Sequence, residues 1–519
     1  MADNRISLAA ARGAFLTFCI TGKEPLGELC RPLYFAQKLA SVTESEVGEF
    51  YPIYSANDAR RLFGAGSIAS NMAIQHFCTC PELPLYVAPI DDPTTGVAAV
   101  HTLKIEGPAT DNGVLSVAIF DQVFAVGVIV GSTAAQVAQA LASVLQQWAD
   151  LPFTVTVPTN GNGGGDTIQL TAKNNGTSGN WFEPVFNPNF GDSFPPGIGV
   201  EIATPTAGVG VINIDAALPV LNCQFDCVGT GFEDEIANNT LILILRQNWA
   251  CAVQGDFRGG HLFHSRTDTS GLIYAYGMDR NNPEECVLPV RPDYKYPGYL
   301  LAAAATSRVC CTGCSDPSRP VQNDNGVLGC LFDSLKCSTI WSPEEKKMFF
   351  DAGIVNWDVA NSRGVRQTQL WIEEPLTTYK YDPMTGAPDG AWQRVESRYT
   401  VTKFVRDLGQ WYRANYSSTS LVSDGTQIPQ GKRAVNPRIL QASILAWLRG
   451  TELGWTAEVS NVPLEQMIRV ERTNQPGNCD PNRVNVLIDL DTVNQLARIA
   501  TSIDMSPEFA CIPPVAVGV

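Results

Sequence analysis

From Met467 to Ile503 the chain reads MIRVERTNQPGNCDPNRVNVLIDLDTVNQLARIATSI, and this stretch limits the possible folds most sharply. Val484, Val486, Ile488 and Leu490 fall on one side of a period-two alternation. Asn485, Leu487, Asp489 and Asp491 fall on the other. The turn cluster Asn474–Pro481 precedes it, and Val470–Arg472 reads as the end of another strand. Such alternation after a cluster of Asn, Pro and Gly predicts a half-buried strand in an antiparallel pair. No residue in it suggests catalysis. A second apolar stretch lies at the far N-terminus, where Ala14, Phe15, Leu16, Phe18 and Ile20 follow a polar start. It fits a terminal strand or a loose tail. Strand-like stretches at both ends of a long chain point to sheet edges that separate chains can share.

The length of 519 residues exceeds one ordinary core, so several domains are expected. Hydrophobic residues at 45% and charged residues at 17% describe a folded chain, and Gly 44 with Pro 34 implies many turns. A net charge of −16 argues against a nucleic-acid surface, which needs clustered Lys and Arg. It suits a soluble particle or an acidic assembly. MADNRISLAA has no basic region leading into an apolar one, so no signal peptide is expected. The uncharged run Gln122–Ala149 changes period midway and reads as strand, turn and helix rather than a membrane span. Fifteen cysteines without a secretory signal read as reduced thiols. Cys310, Cys311, Cys314, Cys330 and Cys337 cluster, but only Cys311 and Cys314 have C-x2-C spacing. Buried or loop thiols are the plain account, and zinc is the alternative.

Along the chain, residues 31–41 predict a strand. Residues 55–78 predict two helices, capped by Ser55 and Ser67 and separated by Gly64 and Gly66. Residues 91–190 change character: three alternating strands, an alanine-rich helix, and two more strands around NGNGGGD. They read as a self-contained α+β module inserted into a larger fold. The glycine run lacks a G-K-[ST] ending and leads into a strand, so it reads as a hairpin tip rather than a phosphate loop. Beyond Ala207 the pattern becomes α/β. Cys223–Val228 reads as a strand, Asn238–Trp249 as a crossover helix, Leu272–Gly277 as the next apolar run, and Pro297–Arg308 as a buried helix. Ser342, Pro343, Glu344 and Glu345 announce a helix that Gly353 ends. Ser397–Ser417 and Asn436–Gly450 are amphipathic helices.

Few residues of the chain stand in patterns that carry chemistry. The histidines are His76, His101, His261 and His264. His261 and His264 stand as H-x-x-H in GGHLFHSR, without the Glu of H-E-x-x-H, and read as loop residues. His264 and Ser265 are adjacent, which sends their side chains apart. No G-x-S-x-G occurs. The pairs Glu233–Glu235, Glu284–Glu285, Glu344–Glu345 and Glu373–Glu374 read as solvated faces. No catalytic, cofactor-binding or metal-ligating residue is assigned, and the chain does not read as an enzyme.

Several segments, in order, carry a family likeness. PGYLLAAAATSRVCCTGCSDPSRPVQN, with Asp316–Pro320 as DPSRP, resembles a helix and DPARP-type segment of the tail sheath proteins of contractile bacteriophages, Mu-like branch. WSPEEKKMFFDAGIVNWDV resembles the segment opening their C-terminal region. WIEEPLTTYKYDPMTGAPDGAW resembles their IxRxITTYQxNxxGxPD pattern, with Glu374 in place of the Arg. SDGTQIPQGKRAVNPRILQASILAWLRGTELG and VERTNQPGNCDPNRVNVLIDLDTVNQLARIA resemble their later patterns, with IDLDTVNQ for PPDLVNQ. GSTAAQVAQALASVLQQWADLPFTV and LTAKNNGTSGNW resemble their inserted module.

This resemblance implies a multidomain α/β and α+β protein. Its parts would be a subtilisin-like α/β core without a catalytic triad, a C-terminal α+β domain, an inserted α+β module and extended terminal arms. The implied division is an N-terminal arm 1–22, first core segment 23–90, module 91–190, α/β core 191–345, C-terminal domain 346–505 and extension 506–519. It further implies hexameric rings stacked helically around a tail tube, contracting to drive the tube through a host envelope. The implied partners are neighbouring sheath subunits, the tube protein, and baseplate and terminator proteins. No cofactor, direct nucleic-acid contact or membrane insertion is implied. The expected location is the virion tail, with assembly in the host cytoplasm. An injection-system sheath has the same implied architecture, and an α/β hydrolase is the remaining alternative. Val484, Val486, Ile488 and Leu490 would form a sheet that receives Ala14–Ile20 of another subunit.

Overall fold

The computed structural model describes residues 30–120, 122–158, 165–189, 191–249, 258–322, 326–332, 340–362, 365–454, 456–458, 463–472, 482–489 and 491–493. Ala14–Ile20, Leu490 and the 506–519 extension lie outside these.

A six-stranded sheet forms the centre, in the order Glu285–Val290, His261–Thr267, Cys227–Thr230, Pro32–Gln37, Leu85–Ile90 and Tyr51–Ile53. The first five strands are mutually parallel and Tyr51–Ile53 is antiparallel. Parallel strands in such a sheet are covered on both faces. PLYFAQ shows this: Leu33 and Phe35 pack on one side with Leu241 and Leu245 of helix Glu235–Trp249. Tyr34 and Ala36 pack on the other with Met72 of helix Ile68–Thr79 and Ala303 of helix Gly298–Ser315. Ser55 and Ser67 cap their helices through Asp58 N and Ser70 N, as their spacing predicts.

Two further sheets and helix Ala134–Leu145 enclose a separate apolar centre containing Leu103, Leu115, Leu141 and Leu170. Thr133 and Gln136 form a reciprocal capping box at its helix start. This unit is fastened to the central sheet by polar contacts. Arg60 makes two bonds to Asp150 (2.8 and 2.7 Å), and Asn174 accepts from Ile68 N (3.1 Å) and donates to Asp92 (2.9 Å). A three-stranded antiparallel sheet, Val327–Phe332, Val365–Glu374 and Asn356–Ser362, joins the main core beside helix Pro343–Ala352. Ser342 and Glu345 cap that helix, and Gly353 ends it in the left-handed region at φ 70°.

Helix Val395–Tyr416 bridges the central sheet and a C-terminal lobe. Arg398 bonds Glu284 (2.8 Å) and Arg406 pairs with Asp226, all four buried. Its other end places Leu408 and Tyr412 against Leu440, Ile444 and Trp447 of helix Pro437–Trp447.

Four expectations are corrected. Leu272–Gly277 lies in helix Ser270–Met278, and the strand is His261–Thr267 instead. An apolar run of six fits either period, while HLFHSRT hides a strand behind polar residues, of which His264 and Ser265 meet Glu285 and Glu233. His261 and His264 are therefore buried strand residues rather than loop residues. Glu284 and Glu285 are buried rather than solvated, because Arg398 and His264 meet them from distant segments. Finally, Cys311 and Cys314 are disulfide-bonded rather than reduced thiols, to Cys80 and Cys30 respectively. Their partners lie 231 and 284 residues away, which local spacing cannot reveal.

Candidate assembly edge

The alternating stretch forms strand Val484–Ile488, antiparallel to Ile468–Arg472. Ile468 faces Ile488, Val470 faces Val486, and Arg472 faces Val484. Val470, Val484, Val486 and Ile488 pack half-buried against the lobe core of Leu440, Ile444 and Trp447. On the opposite face Leu487 is 59% exposed, and Arg469 pairs with Glu471. The register follows from period two: a slip of one residue would put Val486 in water and Asn485 in the core.

The backbone geometry adds what the alternation alone could not give. Asp489 N–H donates to the Met467 carbonyl at 2.8 Å. Antiparallel pairs alternate between hydrogen-bonded and non-hydrogen-bonded. Counting from that bond, Leu487–Arg469 and Asn485–Glu471 are bonded pairs. The N–H and C=O groups of Val484, Val486 and Ile488 therefore point to the outer edge. The same count turns the Ile468 carbonyl away from its partner strand, and Gln441 Nε2 donates to it there at 2.7 Å. Among the described residues no strand pairs with the outer edge of Val484–Ile488. The strand's inward side chains and its outward backbone groups thus belong to the same three residues. Leu490 and the N-terminal Ala14, Phe15, Leu16, Phe18 and Ile20 fall outside the described residues.

The root of the N-terminal segment is described. Asp226, 2% exposed, accepts from Cys30 N and Arg31 N (both 2.9 Å) through one oxygen and pairs with Arg406 through the other. One carboxylate thus joins the start of strand Pro32–Gln37 to the helix carrying the C-terminal lobe. The only local signal of Asp226 in the sequence is a charge in front of an apolar strand.

His264 Nε2 faces Glu285 at 3.1 Å, while the Ser265 hydroxyl donates to Glu233 at 2.7 Å, so the two side chains do diverge. His76 Nδ1 lies 2.8 Å from Ser307 Oγ, but its Nε2 bonds the Leu83 carbonyl at 2.8 Å, where a triad would hold a carboxylate. Burial pulls the His76 pKa down to about 4. His261 is also buried, and burial, then the neighbouring Arg398 charge, holds it well below the ordinary value. Glu285 is lowered too, for another reason: burial, the largest influence, would raise it, but His264, Arg280 and Asn282 together bring it to about 2. Among the described residues no three His, Cys, Asp or Glu side chains gather to hold a metal ion, and no helix is long and apolar enough to cross a membrane.

Fold and edge together define a mixed α/β protein of several apolar centres, with a partly open strand edge near its C-terminus. Comparison with known proteins gives the particular likeness. The chain is 27% identical over 481 residues to the Mu-like prophage FluMu tail sheath protein of Haemophilus influenzae (strain ATCC 51907 / DSM 11121 / KW20 / Rd), covering 92% of this chain and 93% of the relative. The resemblance to Mu-like phage tail sheath proteins therefore holds along nearly the whole chain. A sheath tail protein from Desulfitobacterium hafniense aligns with 92% of this chain and 96% of its own, at 10% identity and a TM-score of 0.45. No family model matches the chain.

Proposed function

We propose that this chain is a structural subunit of a contractile phage tail sheath. The observation that carries the reading is the end-to-end likeness to a tail sheath protein over 92% of the chain. Subunits stack as hexameric rings in a helix around a tail tube, and contraction drives the tube through the host envelope for genome ejection. Heterologous contacts that do not close on themselves build such a filament. In this reading residues 1–22 are an arm, 23–90 and 191–345 a subtilisin-like core without its triad, and 91–190 a surface module. Residues 346–505 are the domain holding the shared sheet, and 506–519 an extension.

Ala14, Phe15, Leu16, Phe18 and Ile20 of one subunit add a strand to the sheet of Val484, Val486, Ile488 and Leu490 in another. Main-chain bonds then link subunits, and side-chain alternation sets their register. The outward backbone groups of Val484, Val486 and Ile488 support this. New contacts between subunits supply the work of contraction, so catalysis is not required of the chain. Partners are other copies of the sheath subunit, the tube protein, and the baseplate and terminator proteins. The location is the virion tail, after assembly in the host cytoplasm. Negative-stain microscopy of the purified chain tests the class: striated hollow tubes are expected, and monomers under every condition would overturn it.

A further inference from the structure

Three chain segments meet at the C-terminal end of helix Gly298–Ser315. Cys314, in its last turn, is bonded to Cys30, with Cα atoms 5.4 Å apart. Cys311, one turn earlier, is bonded to Cys80, which caps helix Ile68–Thr79. Residues three apart lie on one helix face. That single face therefore fastens both the root of the N-terminal segment and the end of a core helix. Cys30 is buried, whereas Cys314 is exposed. The neighbouring Cys227 is buried, and burial, then its hydrogen bond to Cys310, holds its thiol well above the usual pKa.

We propose that Cys30–Cys314 is a redox latch that fixes the root of the N-terminal arm after the particle leaves a reducing compartment. This rests on the sheath reading only in treating residues 1–22 as an arm. In a reducing cytoplasm thiols stay free. There the root is held by Asp226 and by the strand Pro32–Gln37. Outside, a low-molecular-weight disulfide such as glutathione disulfide closes the latch. The Cys314 thiolate attacks one sulfur of that disulfide, and a glutathione thiolate leaves. The Cys30 thiolate then attacks the mixed disulfide at the Cys314 sulfur, and the second glutathione leaves. The two cysteine protons end on two glutathione thiols, so the protein is oxidised and the reagent reduced. The exposed Cys314 is the entry point in both directions. A closed latch keeps pull along the arm from peeling the first central strand out of its sheet.

The test uses the full chain. Native protein incubated with glutathione disulfide is alkylated with N-ethylmaleimide, digested without reductant and mapped by mass spectrometry. A linked Cys30–Cys314 peptide that disappears with dithiothreitol is expected. Oxidised protein should melt several degrees above the same protein in dithiothreitol, and assembled tubes should resist more guanidinium when oxidised. Cys314→Ser, at an exposed position, should lose the share of that gain that Cys30–Cys314 gives and keep only the share of Cys80–Cys311. Free Cys30 and Cys314 after oxidation, or melting and tube resistance indifferent to dithiothreitol, would overturn the latch. Mapping and melting are read on soluble chain, so failure to form tubes strikes the sheath reading and leaves the latch judged separately.

Discussion

Asp226 and Arg406, 180 residues apart, form a buried ion pair that ties the central parallel sheet to the helix of the C-terminal lobe. The same carboxylate accepts from the backbone of Cys30 and Arg31. Removing one member of a buried pair strands the other charge in a poorly solvated site. Arg406→Met should therefore cost roughly 3–5 kcal/mol. Asp226→Asn with Arg406→Met should recover part of that, since the amide oxygen still accepts from the backbone. Urea unfolding of the two variants beside wild type measures both; equal stabilities for all three would show that the pair is not formed.

The strand edge makes a positional prediction. Val486→Pro removes an N–H that faces the outer edge, whereas Leu487→Pro removes one that bonds Arg469. Val486→Pro should leave a folded subunit that fails to polymerise. Leu487→Pro should lower the melting temperature of the isolated subunit first. Normal tubes from folded Val486→Pro protein would show that no partner uses the edge.

Deleting residues 1–22 addresses the other half of the same contact. The truncated chain should fold and remain soluble without forming full-length contractile tubes, as seen by microscopy and sedimentation. Full-length tubes that contract would rule out the arm.

The pH dependence has a definite sign. His76 is neutral in the folded protein down to about 4, against an ordinary value of 6.5. The unfolded chain therefore takes up the proton first, and stability is lost as pH falls from 6.5 towards 4. This one group accounts for about 3 kcal/mol at most. His261, shifted in the same direction, adds to the loss. Glu285 acts lower, its contribution present above 4.5 and lost as pH falls through about 2. Denaturant melts from pH 8 to 4 should show the loss, and His76→Gln should be weaker at pH 8 with a shallower slope. Flat stability across that range would contradict the burial of both imidazoles.

Gly353 ends its helix at φ 70°, and a Cβ there would lie 2.5 Å from the Thr377 carbonyl. Gly353→Ala meets both the left-handed penalty and that backbone clash, so a loss of at least about 1–2 kcal/mol is expected. Thermal unfolding reads it directly.

Local order was written in the chain wherever period and caps agree. The helices after Ser55, Ser67 and Ser342 and the alternating strand at Val484–Ile488 are fixed by neighbours within a few residues, and such signals survive in one dimension. Where a residue's partner is remote, the sequence misled or stayed silent. Glu284 looks solvated until Arg398 arrives 114 residues later, and HLFHSRT looks like a loop until Glu285 and Glu233 satisfy His264 and Ser265. Cys314 looks like a free thiol until Cys30 lies beside it. Tertiary structure alone decided those pairings, because burial of a polar group is favourable only when its distant partner is in place. Tertiary structure also decided which backbone groups of Val484, Val486 and Ile488 face outwards. Side-chain alternation fixes which face is buried, but only the bond from Asp489 to Met467 fixes which edge of the strand is open.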